Sequence, residues 1–460
     1  MSALLLRHWA ASGTLSSAVG IRPRPLQQRL DARTHEACRR HCASGPHAVV
    51  LLDSVLSPTR QRGLHVLEIK TLASACGASL RPLAGEDGWI WAVEAPTEAT
   101  ARSAAAALAA RASALRGAIV DAVSGRDPQG LVQAARGRHV QQGRWALRRE
   151  AGGTKKSRRG SNGRETTAAI GAALGAALGG APAPDGAARH ELSLVVLDSD
   201  DESLFLLGVW VPADDRTAAF ASWRARPFHF SSGLDFRVAE AASALALVQS
   251  AAHAQCTSGA RTLFVDPCCG SGTTVLSAAS SRLDSPGALA ALDVSSRHLL
   301  GALQNFRHAG LVDGPETTSW GVEGTSQGAI GQEALRWCRA AAGGPLLALA
   351  VRDAAAGLPV ELPMAEGPPW RLVGVANLAW GVKQATTAEQ TLAVLAGLRR
   401  TFAAFPAAGR RRLCCILGPE ADARELLEGA GWTVATQPTE VFRTNCRTRV
   451  LCTVTVAELP

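Results

Sequence analysis

The sequence predicts an α/β protein built on a mostly parallel sheet with helices on both faces. Three observations predict it. From His190 onward, apolar strand segments alternate with segments of helical spacing: LFV, a helix from Thr273, LAALDV, a helix from Ser296, LLALAVRD, LVGVANLAWG, a helix from Thr387, and RLCCILG. The segment LFV runs straight into the turn DPCCGSGTT and a helix leaves it, the layout of a ligand-binding strand end in an open α/β sheet. Near the C-terminus, GWTVAT and RVLCTVTV are strands with no helical pattern between them, which predicts an antiparallel pair at one edge.

At 460 residues the chain is too long for one ordinary core. Residues 1–47 read as a targeting or disordered tail, with Asp31 and Glu36 as their only acids. His35, Cys38, His41 and Cys42 crowd together there but match no standard zinc spacing, so a solvated helix is expected and no metal site. Residues 48–136 read as a small α/β domain. It comprises the strand HAVVLLDS, the helix LEIKTLASACG stopped by Gly77, the strand WIWAVEAP, and an Ala-rich helix from Thr97 to about Ala122. Residues 137–189 read as a flexible linker, made of the basic cluster KKSRRGSNGR and an Ala/Gly tract. Residues 190–460 form the larger domain, opening on a hairpin that turns near Asp200 to Glu202.

Hydrophobic residues make up 47% of the chain, which excludes disorder throughout. The net charge of +9 is compatible with a nucleic-acid partner. Eleven cysteines with no CxxC pair argue for a reducing compartment. The expected location is the cytoplasm; an organelle is the alternative, since the acid-poor N-terminus has a transit-peptide composition. No segment reads as a membrane span.

The chemistry starts at Asp266, Pro267, Gly270, Gly272 and Thr273, the cofactor-binding candidates of the DPCCGSGTT turn. Two glycines let the backbone turn sharply and approach a ligand closely. Asp266 offers a carboxylate for an ammonium group. A P-loop would need a lysine after the glycines, and Thr273 stands there. A dinucleotide fingerprint would need a third glycine where Val275 stands. Asp293, at the end of a strand roughly twenty positions further on, is placed to accept ribose hydroxyls. Asp353 follows LLALAV and offers an acceptor for an exocyclic amine. Asn377 and Trp380, in VANLAWG, bring an amide oxygen that would orient an amine and a ring that would stack on a base.

DPCCGSGTT, the Asp293 strand end, RDA and NLAWG together resemble the RNA methylases that methylate the exocyclic amine of guanosine in tRNA. LEIKTLASACGASL and the WIWAVEAP segment are similar to the N-terminal, THUMP-related domain of the tRNA guanosine-ten methyltransferase catalytic subunits. RPFHFSSGLDFRVAEAASALA resembles that family's helix just ahead of the cofactor strand. The resemblance implies a class-I methyltransferase fold, a seven-stranded sheet with its last strand antiparallel, beside a smaller tRNA-gripping domain. It implies S-adenosylmethionine as cofactor and tRNA as partner. Asp266, Gly270 and Gly272 would then contact the cofactor, Asp293 its ribose and Asp353 its adenine. Asn377 would hold the target amine and Trp380 its base. Leu378 and Ala379 stand where the family has two prolines. Eukaryotic members often bind a small zinc-ribbon activator subunit, so such a partner is a further implication. The alternatives are a non-catalytic RNA-binding protein on the same scaffold, and a methyltransferase for protein or small-molecule amines.

Overall fold

A computed structural model describes residues 46–52, 62–83, 89–136, 145–151, 162–178, 190–198, 203–214, 216–230, 233–248, 260–281, 286–312, 336–339, 345–357, 370–378, 387–405, 411–418, 422–445 and 448–459. The N-terminal tail, with its His/Cys group, lies outside them, as do the Lys155–Ser161 part of the basic cluster and Trp380.

The first sheet comprises β1 (Ala48–Leu52), β2 (Ser79–Pro82), β3 (Ile90–Glu94), β4 (Leu115–Gly125), β5 (Trp145–Ala151), β6 (His190–Asp198) and β7 (Ser203–Pro212). Its order is β2-β3-β1-β4-β7-β6-β5. All neighbours are antiparallel except β5 and β6. Four helices belong with it: α1 (Arg62–Ala75), α2 (Glu98–Arg111), α3 (Pro128–Arg136) and α4 (Asn162–Leu178). Every residue of β1 is buried, because both faces are covered. Ala48, Val50 and Leu52 enter one core and Val49 and Leu51 the other, as the two-residue period of a strand requires.

Three sequence expectations need correction here. The Ala-rich helix stops at Arg111, and Leu115–Gly125 is a strand. Ile119, Val120 and Val123 favour a pleated surface, and pairing with β1 on one side and β7 on the other overrides alanine's helix propensity. The expected hairpin forms, with Asp198 opposite Ser203, but it joins the first sheet through β4 and not the larger unit. Trp210 makes that joint: its ring lies over Gly117, where a Cβ would come within 2.4 Å. Third, the supposed linker contributes β5 and α4. Ile170 and Leu174, one helical turn apart, pack with Leu131, Val132 and Ala135 of α3.

The second sheet comprises β8 (Arg261–Asp266), β9 (Ala288–Asp293), β10 (Arg336–Arg339), β11 (Leu346–Val351), β12 (Trp370–Asn377), β13 (Arg411–Leu417), β14 (Thr433–Val434), β15 (Thr439–Asn445) and β16 (Thr448–Leu459). Its order is β10-β11-β9-β8-β12-β13-β16-β14, with β15 paired to β16. Strands β11, β9, β8, β12 and β13 are parallel. The antiparallel β16 inserts between β13 and β14. These seven strands, β11 to β14, have the class-I methyltransferase layout that the resemblance implies. The expected antiparallel pair is β14 with β16; β10 and β15 add to it and were not foreseen.

Among the described residues five helices cover this sheet: α6 (Phe236–Leu247), α7 (Thr273–Ala279), α8 (Ser296–His308), α9 (Ala388–Ala404) and α10 (Ala423–Gly429); ahead of them α5 (Thr217–Arg224) stacks Trp223 on Phe236 at the start of α6. The residues of β8 alternate between two cores: Phe264 packs with α6, α7 and α8, while Leu263 and Val265 pack with α9. Burying a side chain the size of Phe264 stabilises the fold by about 1.5–3 kcal/mol. The two sheets meet where α1 packs on α6. Leu64 of α1 is part of the second sheet's core, and Val248 is part of the first sheet's.

Candidate active site

The parallel strands end together at one edge, and the segments that leave them build the site. In register, Asp266 lies opposite Ala291, so Asp293 stands two residues further along β9. Val351 lies opposite Asp293, so Asp353 stands two residues beyond that. The backbone stitches these ends together. Cys269 N–H donates to Leu292 O (2.8 Å), and Arg352 N–H to Asp293 O (2.9 Å).

Gly270 and Gly272 both have left-handed backbones, with φ of +51° and +77°. They differ in what surrounds them. A Cβ on Gly272 would meet Phe306 Cε1 at 2.5 Å, whereas one on Gly270 would find only Phe230, at 3.6 Å. The turn can therefore lie close against α8 only with glycine at 272. Pro267 is buried behind Asp266, and Thr273 opens α7 with its hydroxyl 3.2 Å from Ser271 Oγ.

Asp266 has a role the sequence did not show. It is only 1% exposed. One carboxylate oxygen accepts from Cys268 N–H (3.0 Å) and the other from the Thr274 hydroxyl. The carboxylate acts first on the turn itself, and closes it. Burial pushes its pKa up to about 7, the Thr274 and Cys268 hydrogen bonds pull it back, and the Asp293 charge adds to the rise.

Asp293 accepts from Gly270 N–H (2.9 Å), Ser295 N–H (2.9 Å) and His298 Nδ1 (3.2 Å). A carboxylate has about four acceptor positions. Among the described residues one is left open, and release of the longer His298 contact would open a second. Asp353 caps a short 3-10 turn, Ala354–Ala356, through Ala355 N–H (2.9 Å), and stays exposed. Asp266, Asp293 and Asp353 converge electrostatically on the Cys268 thiol. Burial first, then those three carboxylates, hold the thiol far above its usual range. Cys269 behaves likewise. Both thiols are protonated at neutral pH, so thiolate nucleophilic chemistry is excluded at this turn.

Asn377 ends β12, the strand beside β8. Its Oδ1 is buried and has no hydrogen-bond partner among the described residues. A buried amide oxygen without a partner costs about 1–3 kcal/mol. Leu378, at a position where the methylases it resembles have proline, donates its N–H to Ile416 O (3.1 Å). Proline could not make that bond; here the ladder to β13 steadies the strand end instead.

Sequence reasoning missed four residues. Val294, directly after Asp293, is 66% exposed, an apolar surface at the lip of the crevice. His298 and Phe230 meet there with ring centroids 4.3 Å apart and planes tilted by 56°. Asn305 is fully buried inside α8. The position after a strand-end acid could have flagged Val294. Nothing in the helical pattern sets Asn305 apart.

No family model matches the chain, and no curated protein matches it. Solved structures do. TrmN from Thermus thermophilus is 17% identical, with 90% of this chain and 99% of that chain covered and a TM-score of 0.39. A structure from Listeria monocytogenes, described as a predicted N6-adenine-specific DNA methylase, is 13% identical over 92% of this chain and 98% of that one, with a TM-score of 0.38. SMU.472, assigned as a methyltransferase and complexed with SAH, is 12% identical over 89% and 97%, with a TM-score of 0.36. At these scores the likenesses add nothing to the strand order itself. Among the described residues no helix is long and apolar enough to cross a membrane, and no three candidate ligands gather for a metal ion.

Proposed function

We propose that the chain is an S-adenosylmethionine-dependent RNA methyltransferase that methylates the exocyclic amine of a guanosine in tRNA. The observation that carries this reading is Asn377 Oδ1, a buried acceptor with no partner among the described residues, beside a turn whose own acids are already bonded. An amine N–H of the target base satisfies that oxygen and is thereby oriented, with its lone pair toward the crevice. Trp380 supplies the stacking ring. Asp293 takes a ribose hydroxyl, Val294 flanks the adenine, and Asp353 accepts its amine. The cofactor, when bound, supplies an electrophilic methyl group. No strong general base is needed, because a neutral nitrogen loses its proton after attack begins. The first sheet grips the tRNA, as the sequence resemblance implies, in the cytoplasm or an organelle.

Mass spectrometry of tRNA nucleosides from cells lacking the protein tests the reading. Loss of one methylguanosine is expected. An unchanged profile overturns the tRNA assignment. Loss of a methyladenosine instead moves the target to adenine's amine. The absent prolines motivate a second reading, a non-catalytic RNA-binding scaffold. Calorimetry decides between them, since a chain that binds no S-adenosylmethionine is not the enzyme.

A further inference from the structure

Residues 226–230, which follow α5, lie across the turn after β8. One side chain of α8 holds them there. Asn305 Nδ2 donates to Ser271 O in the turn (2.9 Å) and to Phe228 O in the crossing segment (3.0 Å). Its Oδ1 accepts from Phe228 N–H (2.9 Å). Both amide donors and the acceptor are used, in a fully buried position. The Phe228 ring lies on Gly301, where a Cβ would come within 2.2 Å of it. Two residues on, the Phe230 ring rests against Gly270 on one side and His298 on the other, and His298 is bonded to Asp293. Phe230 therefore walls the crevice between the two groups assigned to the cofactor.

We infer that Asn305 is a positioning residue for cofactor binding: it fixes Phe230 over the Gly270 turn by clamping Phe228 and Ser271 together. The amide needs to touch no ligand. It sets the gap between the turn and the segment above it, and Phe230 transmits that gap to the ligand. This rests on the cofactor reading of the site.

A double-mutant cycle tests it. Affinity for S-adenosylhomocysteine is measured by calorimetry on the full chain, with thermal midpoints recorded for each variant. F230A, which leaves the clamp intact, is expected to bind about tenfold more weakly with little change in midpoint. N305A is expected to bind at least as weakly as F230A, about tenfold or worse. The pair F230A/N305A should bind no more weakly than N305A alone, since both changes act through one ring. If N305A does not fold, N305D serves in the cycle: it keeps the acceptor for Phe228 N–H and loses both donated bonds. Factors that multiply in the double variant would overturn the inference, as would an N305A or N305D chain with a lowered midpoint and unchanged affinity. Wild-type protein that binds no S-adenosylhomocysteine would instead overturn the cofactor reading, and this inference with it.

Discussion

At the strand-end crevice, each buried acid meets an N–H or hydroxyl of its own turn; at the contact between α1 and α6, the buried polar groups are not so well matched. In the crevice, Asp266 and Asp293 are bonded to Cys268, Thr274, Gly270 and Ser295. Between the sheets, Glu68 is met by Ser113 N–H (2.9 Å) and by the Ser113 hydroxyl (2.6 Å). Among the described residues, neighbouring Glu240 has only a 3.5 Å contact to Arg216 Nη1, and both ring nitrogens of buried His65 lack partners. The difference teaches where order comes before a ligand. The turn after β8 satisfies its acids from its own backbone and hydroxyls, while Asn377 Oδ1, with no partner among the described residues, is left for the amine proposed above. The polarity between the sheets offers no such economy and carries a stability cost.

The largest effect tests the pre-formed turn. Gly272→Ala puts a side chain on a left-handed backbone and drives a Cβ to 2.5 Å from Phe306. Strain and overpacking together should cost about 3 kcal/mol or more. Gly270→Ala bears the same backbone strain but has room, so about 1 kcal/mol is expected. Urea midpoints of the two variants check this, and equal losses would show that the approach of α8 does not shape the turn.

Asn377→Ala addresses the other side of the contrast. It removes an unsatisfied buried oxygen, so stability should hold or rise slightly. The methylation rate should fall about a hundredfold, because the target amine loses its orientation. In vitro transfer to tRNA, followed at saturating S-adenosylmethionine, reads this out. Full activity would remove Asn377 from the site.

The crevice was largely legible in the sequence because its parts come directly after strands. An acid at a strand end, glycines in the next turn and a cap before a helix are local features, and Asp266, Gly270, Gly272 and Asp293 all fall in one crevice. The unforeseen part is non-local. Asp266 could be seen, but not that Cys268 and Thr274 would occupy its oxygens. The hairpin of β6 and β7 was visible as a hairpin; its membership of the first sheet depends on Trp210 meeting Gly117, residues far apart in the chain. In the same way, Ile170 and Leu174 become core residues of an Ala/Gly tract only when α3 lies beside them. Asn305 reads as an ordinary helical polar residue until Phe228 crosses it.

Glu68 sharpens the contrast through pH. Burial raises its pKa to about 7, and the two Ser113 hydrogen bonds only partly oppose that. The folded state thus binds this proton more tightly than the unfolded chain, whose carboxyl titrates near 4.5. The resulting stability is full below that value and is lost as the pH rises toward about 7. Glu240, also raised to about 7, acts in the same direction. Glu68→Gln should therefore flatten the fall in urea midpoint between pH 4.5 and 7. Identical slopes in variant and wild type would show that Glu68 does not titrate across this window.

His65 gives the smallest effect, with the opposite sign. Burial, with the Arg237 and Arg62 charges, depresses its pKa to about 3. The unfolded chain then binds the proton more readily between about 3 and 6.5. The stability this residue allows is present above 6.5 and is lost as the pH falls through that range. His65→Leu removes the titration and both unpartnered nitrogens while keeping an apolar side chain between α1 and α6. At pH 7 the variant should be more stable by about 1 kcal/mol. At pH 5 the margin should widen, because only the wild type still pays to keep a buried imidazole neutral. A margin that narrows on acidification would mean that His65 takes up its proton in the folded protein, and that the contact between the sheets admits charge as readily as the crevice does.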